Sequence, residues 1–274
     1  MHIIFFQALL KKLSIGGKHL IQIKNENIAN FQVSVILPTG YDTRKRYRTI
    51  YLQDGGNAAK QALNYIDHLI ITKQIEPIII IGIHPNNREE DYTPWQAAAL
   101  QADKPASGGK AAEYLYLLVN EIKPFIDKHY ASNPSAEYTA IGGCSFGGLV
   151  SIFASYYYPE TFHHYIILSA SFWYEGVLNF IEGQKITQQN KTYTKPDINR
   201  QNHKMYLYVG ELEGIHRDSV QKHMVEYTKQ VVHEIKQEGF SEANLLFETA
   251  AEGTHDVYFF SPHFIRSLFW LYGN

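Results

Sequence analysis

Only one cysteine, Cys144, occurs among the 274 residues. An internal disulfide is therefore impossible, and a zinc site built on cysteine thiolates is excluded with it. Excess charge is lacking too: 25 Lys and Arg stand against 27 Asp and Glu, a formal net charge of −2. That balance gives no global attraction for a phosphate backbone and argues against a nucleic-acid partner. No run of about 18 apolar residues is present, so no membrane-spanning helix and no membrane partner are expected. The apolar stretch from Ile3 to Leu10 comes before Lys11 and Lys12, whereas a secretory leader puts its positive charges first and closes on small residues. A cytoplasmic protein is the expectation. With no repeat, low-complexity tract or linker, the chain reads as a single domain over residues 1–274.

What is present is the alternation of two periodicities. Hydrophobic residues make up 45% of the chain, enough for a large core. Strand patterns are predicted at 18–23, 31–37, 49–53, 77–83, 137–141, 162–168, 205–210 and 243–249. The continuous β-branched run within 77–83 is the mark of a strand covered on both faces. Helical patterns fall at 58–73, 111–130, 146–158, 219–237 and 257–272, with Pro124 predicting a kink or interruption of the second. Strands alternating with helices imply an α/β fold with a mainly parallel sheet of about eight strands, the first two forming an antiparallel edge. Residues 172–203 are polar and lack a period. They are predicted to leave the core as a lid or as a wall of the site.

The segment that promises chemistry is Gly143-Cys144-Ser145-Phe146-Gly147. A G-x-S-x-G sequence placed between a strand and a helix can hold its serine on a sharp, strained turn with the hydroxyl exposed. Its glycines let strand and helix backbones pass closely. The same turn aims the amide of Phe146, at a helix N-terminus, toward the oxygen of an acyl group. Serine is a weak nucleophile unless a base lies within hydrogen-bond reach and is itself oriented by a third group. In this arrangement the order along the chain is serine, acid, histidine. Of the 13 histidines, His255 sits in a polar small-residue loop between the last strand and the last helix. That loop opens over the carboxyl edge of the sheet, where the sites of open α/β folds gather. His216, His223 and His233 fall on or near a helix and read as solvated surface; His163 and His164 begin a strand and His263 lies within the final helix, and none of the six is read as catalytic. The acid follows the strand 205–210, where Glu213 is favoured over Glu211 because it reaches further into the loop. Asp256 reads as a helix N-cap. A second oxyanion donor is expected from Asp54-Gly55-Gly56-Asn57, at the amide of Gly56 or, as the alternative, Gly55. The histidines lack ligand spacing, so no metal or organic cofactor is expected, and the partner is a small-molecule ester.

Taken together, Tyr51-Leu52-Gln53-Asp54-Gly55, Arg88 with Asp91-Tyr92-Thr93-Pro94-Trp95, Gly108-Gly109, Lys123-Pro124, the elbow from Gly142 to Gly148, Ser169-Ala170-Ser171-Phe172-Trp173 and Gly253-Thr254-His255 resemble the esterase-D-type α/β-hydrolases. The likeness points most toward the enterochelin-esterase-like (siderophore trilactone) hydrolases and related esterases, and spans about residues 30 to 272. The resemblance implies an α/β-hydrolase fold and ester hydrolysis through an acyl-serine, without metal or cofactor. It further implies Arg88 as a contact for an anionic ligand and Trp173 as a wall of the substrate pocket. Two departures stand out: Asp54-Gly55 replaces the His-Gly of many hydrolases, and the acid is a glutamate where some siderophore-type relatives use a Ser–His pair. A general short-chain carboxylesterase or an acyltransferase would share the same catalytic residues. A non-catalytic binding protein on this scaffold would have no need of Ser145 and His255.

Overall fold

A computed structural model describes residues 21–100 and 105–274. Eight strands make the central sheet: β1 (Gln22–Ile28), β2 (Phe31–Leu37), β3 (Arg48–Leu52), β4 (Ile78–Ile83), β5 (Thr139–Cys144), β6 (His164–Leu168), β7 (Lys204–Gly210) and β8 (Leu245–Ala250). Their spatial order is β1-β2-β4-β3-β5-β6-β7-β8. β2 runs antiparallel to both of its neighbours, and the remaining pairs are parallel. This is the mainly parallel α/β-hydrolase sheet, with the expected antiparallel edge. Because side chains alternate across a strand, β4 feeds two cores at once. Ile79, Ile81 and Ile83 enter one cluster, and Ile78 and Ile80 enter the other on the opposite face. That is why the run contains no polar position.

The first strand differs from the expectation. Residues 18–20 lie outside the described residues, as does the apolar stretch 3–10, and β1 begins at Gln22. Its sequence, QIKNENI, is exposed over most of its length. An edge strand open to water needs no apolar alternation, so periodicity alone does not find it. The turn into β2 uses Ala29 and Asn30 at φ 51° and 66°, the left-handed pair of a two-residue hairpin loop.

Nine helices are described, named in chain order: α1 (Asn57–Lys60), α2 (Leu63–Ile71), α3 (Arg88–Tyr92), α4 (Ala111–Leu117), α5 (Lys123–His129), α6 (Phe146–Tyr157), α7 (Val177–Ile181), α8 (Met224–Lys236) and α9 (Val257–Tyr272). The helix expected at 58–73 is thus two, broken where Ala62 leaves helical geometry at φ −125°. Between α4 and α5 the chain stays helical through a wider π turn at Leu118–Ile122. Pro124 has no amide for the carbonyl of Asn120 and would crowd it, and widening the turn relieves both problems.

Residues 172–203 are neither irregular throughout nor a loose lid. They contain α7 and a hairpin of Ile186–Gln188 with Lys191–Tyr193. Phe172, Trp173, Tyr174, Val177, Phe180 and Ile181 are buried against the core. The segment is pinned at its end by Arg200, whose side chain is fully buried and paired with Glu238 at 2.9 Å. Lys195 reaches the same carboxylate at 3.1 Å. It is a packed wall.

Candidate active site

The carboxyl ends of β5, β6, β7 and β8 gather the chemistry-bearing side chains. β5 ends at Cys144, and Ser145 follows at φ 58°, ψ −122°, before α6 opens at Phe146. For a residue with a Cβ this is a strained conformation. It persists because both sides of the turn are fixed: the Ser145 amide donates to the Leu168 carbonyl at 3.0 Å, and the Ser171 amide donates to the Ser145 carbonyl at 3.1 Å. At Gly147 an added Cβ would lie 2.8 Å from Gln53 Cβ, so the helix can approach β3 only with glycine there. The Phe146 amide, first in the helix, has no acceptor among the described residues. Burial pushes the neighbouring Cys144 thiol well above its usual pKa, which leaves it protonated and inert beside the serine.

His255 lies in the loop between β8 and α9, and its Nδ1 is 2.7 Å from Glu213 Oε2. The Glu213 side chain has no exposure. Its other oxygen, Oε1, accepts from the Gly210 amide at 2.9 Å and from Ser169 Oγ at 2.5 Å. Glu211 turns the other way and pairs with Lys229 at 2.8 Å. Of the two candidates, Glu213 is therefore the carboxylate that meets the imidazole. Phe260 packs edge-on against the His255 ring, centroids 5.1 Å apart. Asp256 caps α9 by accepting from the Tyr258 amide, as its position suggested.

Ser145 Oγ shares a hydrogen bond with Ser171 Oγ at 3.2 Å, and none joins it to His255 among the described residues. The two nonetheless hang from one scaffold, because the short segment after β6 touches both. Leu168 and Ser171 hold the serine backbone, while Ser169 holds the acid that holds the histidine. Ser169 itself is buried with φ 46°. Sequence patterning assigns neither serine a role. The available signal was a pair of small polar residues leaving the strand next to the elbow strand.

The loop after β3 departs from the expectation at Gly56. Asp54 and Gly55, at φ 54° and 65°, form a left-handed turn that is closed by the Gly56 amide donating to the Gln53 carbonyl at 3.0 Å. The Gly56 donor is thus engaged within its own turn. The Gly55 amide has no acceptor among the described residues.

Arg88 differs as well. Its guanidinium grips Asp54 through Nε at 2.7 Å and Nη2 at 3.0 Å, and Nη2 also donates to the Cys144 carbonyl at 3.3 Å. Trp173 is nearly buried, with its ring 5.6 Å from that of Phe146. Both line a cleft of about 930 Å³, which Phe172, Tyr174, Leu178 and Tyr227 extend. Glu89 and Glu175 stand on its walls, and among the described residues no basic side chain lines it.

Two other histidines serve packing. His164 is buried in β6 and meets the Tyr272 hydroxyl at 3.3 Å, and His263 stacks on Tyr208 at 3.6 Å between centroids. Among the described residues no cluster of three or more His, Cys, Asp or Glu could hold a metal ion. Nor is any helix long and apolar enough to cross a membrane.

A protein-family model described as "Putative esterase" matches residues 28–271. The Uncharacterized protein YbbA of Bacillus subtilis (strain 168) is 29% identical over 253 residues, covering 92% of this chain and 96% of that protein. Among solved structures, an IroE-like serine hydrolase from Shewanella oneidensis aligns with a TM-score of 0.72 at 20% identity, over 91% of this chain and 79% of that one. The siderophore hydrolase EstA from Aspergillus nidulans aligns with a TM-score of 0.68 at 18% identity, over 92% and 93%. At these identities the structural matches speak for the fold.

Proposed function

Since the chain belongs to the esterase family matched over residues 28–271, we propose that it hydrolyses carboxylic esters through an acyl-serine intermediate. The observation that carries this reading is the buried Glu213 carboxylate 2.7 Å from His255 Nδ1. A carboxylate there fixes the proton on Nδ1 and leaves Nε2 with a free lone pair. After a turn of the Ser145 side chain away from Ser171, His255 Nε2 takes the hydroxyl proton as Oγ attacks the ester carbonyl. Glu213 stabilises the imidazolium that results. The oxyanion is held by the Phe146 amide and by the Asp54–Gly56 turn, whose uncommitted donor is the Gly55 amide. His255 then returns the proton to the departing alcohol. Water, deprotonated by the same nitrogen, releases the acid and restores Ser145.

The cleft beside Phe146 supports a reading of the substrate class. Phe146, Phe172, Trp173, Tyr174 and Tyr227 suit an aromatic ring carried on the substrate's acyl part, which agrees with a catecholate siderophore trilactone. The siderophore hydrolase EstA on the same fold supports this reading as well. Glu89 and Glu175 on the walls oppose a strongly anionic ligand, so the iron-free trilactone is favoured over its ferric complex. The first test is Ser145→Ala against p-nitrophenyl acetate, where activity at the wild-type rate would falsify the mechanism. The second is an ester panel with iron-free and ferric trilactones, simple acetates and an added alcohol acceptor. Simple acetates turned over in preference to both trilactones would mark a general carboxylesterase, and acyl transfer to the alcohol an acyltransferase.

A further inference from the structure

One guanidinium touches both the turn after β3 and the elbow after β5. Arg88 lies at the start of α3, after β4, and its fork closes on both oxygens of Asp54, the first left-handed residue of the turn after β3. The same Nη2 reaches the carbonyl of Cys144, the residue before the nucleophile. The guanidinium also lies 5.5 Å from the ring centroid of Phe146 and 5.7 Å from that of Tyr92. Tyr92 is fully buried, and its hydroxyl accepts from the Asp54 amide at 3.0 Å. Asp54 Oδ2 rests beside Gly147, 3.2 Å from where a Cβ would stand. The turn after β3 and the elbow after β5 come from different strands, and this ion pair ties their backbones together.

We propose that Arg88 is a positioning residue: acting through Asp54, it sets the separation between the turn's amides and the Phe146 amide, and it does not bind an anionic group of the substrate. The proposal rests on the esterase reading above. Its charge is already met by a bidentate carboxylate, the strong form of such a pair, so little is left over to attract an anion. The left-handed conformation of Asp54 needs an outside partner to persist. Lysine offers a point charge and no fork, so it should replace Arg88 poorly.

The test compares Arg88→Met, Arg88→Lys and Asp54→Asn in the full chain, on neutral p-nitrophenyl acetate and anionic p-nitrophenyl hemisuccinate. Labelling by a neutral fluorophosphonate, which needs the elbow but no particular substrate, is followed in parallel. Arg88→Met and Asp54→Asn should each lower kcat on both esters by about 10²-fold, the usual cost of a misplaced catalytic group, with KM little changed. Labelling should slow in step, and Arg88→Lys should recover only part of the loss. A rise in KM confined to the hemisuccinate, with kcat on the acetate intact, would make Arg88 an anion contact and overturn the proposal. Wild-type kcat in Asp54→Asn would overturn it equally. If Arg88→Met does not fold, the isosteric Asp54→Asn decides. Wild-type protein that neither hydrolyses nor labels defeats the esterase reading and the clamp with it, whereas labelling unchanged across the variants defeats the clamp alone.

Discussion

Replacing Glu213 by glutamine tests the catalytic reading at its narrowest point. In the native arrangement Oε1 accepts from Gly210 and Ser169, while Oε2 faces His255 Nδ1 at 2.7 Å. The glutamine amide has one oxygen and one NH2 group. Two donors fix its oxygen on the Gly210 and Ser169 side, so the NH2 must point at Nδ1. That nitrogen can then only accept, its proton moves to Nε2, and the nitrogen that the proposed mechanism uses as base becomes a donor. The base is lost without moving an atom of the backbone. A wrong tautomer of this kind lowers kcat by about 10⁴-fold, or roughly 5.4 kcal/mol in the barrier. The assay is p-nitrophenyl acetate hydrolysis under saturation, with circular dichroism to confirm the fold. Glu211→Gln is the control, because its carboxylate serves a surface pair with Lys229, and pairs of that kind contribute only about 0–1 kcal/mol. The reasoning fails if Glu213→Gln keeps kcat within tenfold of wild type, or if Glu211→Gln loses as much.

Three further expectations concern the scaffold. Gly82→Ala would place a methyl 2.2 Å from the Gly55 carbonyl oxygen. Overpacking of this kind costs about 1–3 kcal/mol, and because the displaced atoms belong to the turn proposed to hold the oxyanion, kcat should fall together with Tm; a lower Tm at wild-type kcat would count against the turn's role. Burial holds the His164 imidazole down to about 3, while the unfolded chain takes up that proton near about 6.5. Below that pH the unfolded state binds one more proton, so the native state loses up to about 1.4 kcal/mol per pH unit until the folded pKa is reached. In urea titrations at pH 7 and pH 5, His164→Gln should lose less stability on acidification than wild type, and parallel losses would refute the assignment. Arg200→Met leaves the Glu238 carboxylate, among the described residues, with only Lys195 and the Tyr156 hydroxyl. Breaking a buried pair from one side costs about 3–5 kcal/mol, and a loss under about 1 kcal/mol in urea unfolding would show that the wall does not depend on it.

Sequence periodicity and turn chemistry were enough to place the parallel strands, because a strand covered on both faces has no choice but a continuous apolar run such as Ile78–Ile83. They were enough for the elbow as well, since only glycine permits the approach at Gly147. The chain order of Ser145, the two carboxylates just after β7 and His255 could also be read directly. What they could not locate were features whose determinants are distant in the chain. The exposed edge strand β1 is specified by its pairing with β2 and not by an apolar rhythm of its own.

Local sequence determined which residues could do chemistry, and the tertiary structure decided which of them meet. Glu211 and Glu213 are alike in type and lie two positions apart; only the hydrogen bonds of Gly210 and Ser169, converging from two strand ends, select Glu213. Arg88 looks like a free cation in the sequence and is a paired one in the fold, because the turn after β3 brings Asp54 to it across 34 residues of chain. Patterning is a property of neighbours a few residues apart, while side-chain partnership depends on distances set by the packed sheet.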